Sequence, residues 1–229
     1  MKAKLASGLV VSFLLGASSS GAPRSSQVTP NDGQIQITIG VYDYAHAQPG
    51  LPSEAERAAT SILLKAGVET VWLDCSTDDA STPACAKPGD PTHLTLRILS
   101  GSMANRWRPL KDGGFGYSVL GEQMNCNGWI VYDRVKDFAI RQGLTFERLL
   151  GAVIAHELGH LLLGENVHTR AGLMSARWSR EELFAIECGL LAFSDVESKR
   201  IQKGAFARRQ VAGAVTTEVS SLDSRMARN

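Results

Sequence analysis

The segment from Ala155 to Met174, AHELGHLLLGENVHTRAGLM, holds three of the chain's five histidines within thirteen residues. His156 and His160 stand four apart with Glu157 between them, and His168 follows. On a helix, residues four apart are separated by about 40° around the axis and about 6 Å along it. Two imidazoles on one helix face at that spacing can share one cation. Glu157 stands about 100° around from His156, outside that pair but within reach of a water on the open side of the ion. This set suits hydrolysis: a zinc ion acidifies water and polarises a carbonyl while a neighbouring carboxylate accepts the proton. Catalytic zinc takes three protein ligands plus water, so a third ligand is required, and His168 is the leading candidate. Without such a role, two histidines and a glutamate would lie on an apolar helix lacking partners, which is costly.

The elements that must position these residues can be read from periodicity. Residues 145–163, TFERLLGAVIAHELGHLLL, predict a buried helix with Thr145 as N-cap and Gly164 as a left-handed terminator. Upstream, residues 34–44, 68–75, 93–101, 113–121 and 127–135 read as strands. The fourth of these, GGFGYSVLG, is glycine-bounded and suits a sheet edge. A helix over 53–67 falls between the first two strands, with Ser53 and Glu56 as a capping box. Two more follow the histidines, over 179–193 and 194–209, opened by the boxes Ser179 with Glu182 and Ser194 with Glu197. The expected fold is α+β: a mixed, twisted, roughly five-stranded sheet, an N-terminal helix, the histidine-bearing helix and C-terminal helices.

The histidine segment resembles the metzincin group of zinc endopeptidases. That group's motif is H-E-x-x-H-x-x-G-x-x-H, followed by a methionine-containing turn beneath the metal. His156, Glu157, His160, Gly164, His168 and Met174 stand in that order here. The resemblance implies a zincin-like catalytic domain with one catalytic zinc held by His156, His160 and His168. It implies Glu157 as general base, Gly164 turning the chain, Met174 under the ion, and a peptide or protein substrate extended along the edge strand 113–121. The spacing departs from the group's pattern: Gly164 follows His160 by four positions rather than three, and His168 follows it by eight rather than six. One added residue before the glycine lengthens the helix by about 1.5 Å and rotates its exit by about 100°; the added residue after it can restore the return path. A gluzincin-like alternative draws the third ligand from a later helix, where Glu181 and Glu182 lie within reach, with Glu165 a weaker choice. Tyr42, Tyr44, Tyr117 and Tyr132 all precede the motif, so none matches the tyrosine that some metzincins supply after the methionine turn.

The rest of the chain bounds these readings. At 229 residues it is one domain of ordinary size. A formal net charge of +1 supplies no global field to recruit nucleic acid or an anionic membrane. The N-terminus, MKAKLASGLVVSFLLGASSSGAPRSS, sets Lys2 and Lys4 before a short apolar run and then small residues, the pattern of a secretory signal. That run falls short of the roughly 20 residues a bilayer span needs. The expected organisation is a signal peptide over 1–22, a catalytic domain over 30–210 and a disordered tail over 211–229. The expected product is a secreted or periplasmic monomer without a stable membrane anchor after cleavage. Four cysteines in the exported part allow two disulfides, expected as Cys75–Cys85 and Cys126–Cys188. Two other functions would use the same residues: a catalytically idle zinc-containing peptide-binding module, and a zinc hydrolase of a non-peptide amide.

Overall fold

Apolar side chains at every second position bury one face of β1 (Ile35–Asp43): Ile35, Ile37, Ile39 and Val41 all enter the core. The computed structural model describes residues 35–45, 53–76, 85, 89–107, 110, 113–121 and 126–226, with side chains to residue 214. β1 pairs in parallel with β2 (Val68–Asp74) on one side and β3 (His93–Leu99) on the other. β5 (Cys126–Val131) runs parallel to β3, and β4 (Gly116–Leu120) closes the sheet antiparallel to β5. The strand order is β2-β1-β3-β5-β4, so the glycine-bounded strand is an edge, as its sequence suggests.

α1 (Ser53–Lys65) connects β1 and β2, and α4 (Phe146–Leu163) packs against it. They approach closely at Gly151, where a Cβ would stand 2.5 Å from Ala58 Cβ and 2.8 Å from Ala55 O. α4 is buried without interruption from Leu149 to Leu162. It touches β4, β5, α1, α3 (Tyr132–Gln142), α5 (Arg180–Glu187) and α6 (Asp195–Met226). A helix enclosed by neighbours on every side needs no polar face, which accounts for its nearly continuous apolar sequence.

Several boundaries differ from expectation. The strand expected over 127–135 stops at Val131, and α3 begins at the next residue, ending at the left-handed Gly143. Nothing local announces the change, because the N-cap Val131 supplies no side-chain hydrogen bond. α2 (Gly101–Ala104) is a single unexpected turn, capped by Ser100. α5 stops at Cys188, where Gly189, at φ 68°, turns the chain. α6 continues to Met226, past the tail boundary expected at 211. The packed first half nucleates it, and each further residue then adds one hydrogen bond with no proline to stop it.

Cys75 and Cys85 form a disulfide. The expected Cys126–Cys188 bridge does not form. Cys126 is buried at the start of β5, where its Sγ accepts from Arg208 Nη2 at 2.9 Å, and Cys188 is exposed at the end of α5. An even cysteine count says nothing about the elements that carry the thiols, and these two have different neighbours. Arg208, on α6, also donates to Pro91 O (2.8 Å) and Leu161 O (2.9 Å), tying α6 to the end of α4 and the approach to β3. Among the described residues no helix is long and apolar enough to cross a membrane. The expected signal segment 1–22 and His46 lie outside the described residues.

Candidate metal centre

His156 and His160 leave α4 on the same side, with their Nε2 atoms 3.1 Å apart. His156 Nδ1–H donates to Leu173 O at 2.7 Å, and His160 Nδ1–H donates to Glu165 O at 3.0 Å. A neutral imidazole that donates from Nδ1 presents a lone pair at Nε2. Two lone pairs therefore face each other, and a cation between them removes the repulsion. Their separation is near the ~3.3 Å kept by two nitrogens bound about 2.0–2.1 Å from a tetrahedral ion.

His168 reaches the pair through a short loop. Gly164 adopts φ 72° and caps α4 with its N–H on His160 O, which sends the chain back over the helix end. After His168, Thr169 N donates to Met174 O at 2.9 Å, and Thr169 bridges to Ser175. The loop is fastened on two sides. Glu165 pairs with Arg200 of α6 at 2.7 Å, and Asn166 Nδ2 donates to Ser118 O of β4 at 3.2 Å. The His168 ring centroid lies 5.3 Å from that of His156 and 4.9 Å from that of His160. One ligand nitrogen from each of the three lies within 4.8 Å of the others, so His156, His160 and His168 could hold a metal ion. Three imidazoles suit zinc, copper, iron or nickel.

The alternative ligands are occupied elsewhere. Glu182 completes the capping box of α5, with Oε2 accepting from Ser179 N at 2.6 Å, and its Oε1 accepts from Gly172 N at 2.5 Å. Glu181 is exposed and accepts from Ser179 Oγ. Met174 is buried, and its Sδ packs against Gly159, so that a Cβ there would stand 2.8 Å away. Trp178 Nε1 donates to Leu173 O at 3.1 Å, the same carbonyl that orients His156, and its ring stands edge-on to His156.

Glu157 is buried, and its Oε2 accepts from Ser118 Oγ at 2.6 Å. Burial pushes its carboxyl up to about 7, with the Ser118 bond acting in the other direction. Burial lowers His156 to about 4, opposed by its bond to Leu173, and lowers His160 for the same reason. Both imidazoles are therefore neutral near pH 7, the form that binds metals. A cavity of about 480 Å³ opens beside the cluster, walled by Phe115, Phe138, Val153 and Trp178, with His156, Glu157 and His168 facing it.

The four residues expected at the centre come together. Ser118 and Arg200, which support them, carry no local signal because they lie on β4 and α6; Asn166 lies within the histidine loop itself, but its partner on β4 is not readable from the sequence. The Ser179–Glu182 box was legible, but not its tie to Gly172. His93 begins β3 beside Gly40 and stands outside the cluster. The chain matches no protein-family model, and comparison with curated proteins finds no match.

Proposed function

We propose that this chain is a secreted, metzincin-like zinc endopeptidase in which His156, His160 and His168 hold the ion and Glu157 is the general base. The observation that carries this reading is the convergence of three imidazoles within 4.8 Å, beside a buried carboxyl that faces the same cavity. The antiparallel edge strand β4 next to α4 supports a zincin-like arrangement, since a sheet edge can pair with an extended peptide. The Cys75–Cys85 disulfide supports an oxidising compartment.

Zinc in that position supplies Lewis-acid polarisation of a carbonyl and acidification of water. The protein's own groups do the rest. The carbonyls of Leu173 and Glu165 fix the tautomers and orientation of His156 and His160. Glu157 accepts the proton of the attacking water and returns it to the departing amine. The apolar cavity walls receive a substrate side chain.

The test is cleavage of an unstructured protein mixture by the zinc-loaded chain, with Glu157→Gln alongside and zinc quantified in both. The expected outcome is cleavage by the wild type and a loss of at least about 100-fold in the variant, with zinc still bound. Bound zinc without cleavage by either protein would replace the peptidase with an idle binding module or a hydrolase of another amide. Absence of bound zinc would overturn the reading.

A further inference from the structure

The carboxyl of Glu157 sits in a socket made by one strand. Gly116 and Ser118 are two apart on β4, so they point to the same face of the sheet, toward α4. A Cβ on Gly116 would stand 2.7 Å from Glu157 Cδ and 2.8 Å from Cγ, with Oε1 closer still, so any larger residue would displace the side chain. Ser118 is 3% exposed, and its hydroxyl stands 2.6 Å from Glu157 Oε2 and 3.0 Å from the backbone oxygen of the same residue. Gly116 and Glu157 wall the cavity, whereas Ser118 does not. One carboxyl oxygen is thus tied to Ser118, and the other lies beside Gly116, which with Glu157 lines the cavity. The carbonyl of Ser118 also accepts from Asn166, two residues before His168, so the same strand residue touches both the base and the loop that brings in the third imidazole.

Resting on the function proposed above, we infer that Ser118 is the positioning residue of the general base: it holds Oε2 so that Oε1 faces the cavity where water and substrate meet. A glutamate has three rotatable bonds, and a base works only within hydrogen-bond reach of the proton it takes. Without the hydroxyl the carboxyl is free to turn toward other groups, and the loss falls on the chemical step rather than on substrate binding.

The test compares zinc-loaded wild type, Ser118→Ala and Ser118→Thr, using peptide hydrolysis and crystal structures of the wild type and the alanine variant. Ser118→Ala is expected to keep its zinc and its KM while kcat falls about 10- to 100-fold. Ser118→Thr retains the hydroxyl and is expected to recover most of that loss. In the crystal structure of Ser118→Ala, the Glu157 carboxyl leaves its single orientation. An unchanged kcat, or a carboxyl that stays in place without the hydroxyl, would overturn the inference. Should the alanine variant fail to fold, Ser118→Cys, of similar size but a weak donor, takes its place with the same expectations. If the wild type hydrolyses no peptide, the proposed function fails, while the carboxyl's position in the two crystal structures still decides the role of Ser118.

Discussion

His156 and Glu157 are neighbours whose protons respond to burial in opposite ways. In the metal-free protein, burial lowers His156 to about 4 and raises Glu157 to about 7. As pH falls below the ordinary histidine value of 6.5, the unfolded chain takes up a proton that folded His156 refuses, so the fold loses stability. Over the same window folded Glu157 retains a proton that the unfolded chain releases, so the fold gains stability as pH falls from about 7 toward 4.5. The two effects oppose each other. Replacing Glu157 with Gln removes only the second, so the melting temperature of the metal-free variant should drop more steeply from pH 7 to pH 5 than that of the wild type; overlapping profiles would refute this pairing. His168→Ala should weaken metal binding by at least the roughly 10- to 100-fold that follows loss of an outer partner, read by competition with a chelating dye. Affinity equal to wild type would move the third ligand to another residue. The histidines and Glu157 were legible because a helical repeat puts spacing and geometry in direct correspondence. Ser118 was not, because it lies 39 positions from Glu157 and nothing in a strand's alternation says which helix residue it meets.

Glycines decide how the elements fit. Gly151→Ala would ordinarily favour a helix by about 1 kcal/mol, but its Cβ would press on Ala58 Cβ and the Ala55 carbonyl of α1. Overpacking of that kind costs about 1–3 kcal/mol, so the net effect should be destabilising, measurable by denaturant unfolding. Glu182 links two elements: it caps α5 and holds Gly172 in the turn that carries Leu173 and Met174. Glu182→Ala should lose about 1–2 kcal/mol of stability. It should also weaken metal binding about tenfold, because Leu173 O orients His156; metal affinity equal to wild type would confine Glu182 to capping. α5 is legible through its capping box and α4 through its apolar run and Gly164, whereas Thr145, the N-cap residue of α4, makes no side-chain cap and gives its hydroxyl to Glu187 Oε1. α3 was hidden because its apolar residues continue directly from β5, so an alternating pattern runs into a helical one without a break.

The order of the strands was the least legible property of the whole. Alternation identifies each strand, but neighbours are chosen by crossovers between distant segments, and the sheet places β1 between β2 and β3 while sending β4 to the edge beyond β5. The missing Cys126–Cys188 bridge has the same origin, since pairing depends on where elements lie. The Cys75–Cys85 bridge spans a separation of 10 residues, and closing a loop of that length contributes about 2–3 kcal/mol. A double Cys75→Ser, Cys85→Ser variant should lose that stability in denaturant titrations and keep its metal, since none of the three imidazoles lies in this loop. The imidazoles instead come from residues 156–168, one helix end and one turn, whereas the socket for Glu157 arrives from β4. Short closures form early in folding and distant pairings form late. The imidazoles can therefore gather around an ion before the base is seated, and the Asn166–Ser118 tie that fixes their loop closes only as β4 arrives. Under the function proposed above, that order would spare the unfinished chain, because the base is seated only once the loose segments around it have packed.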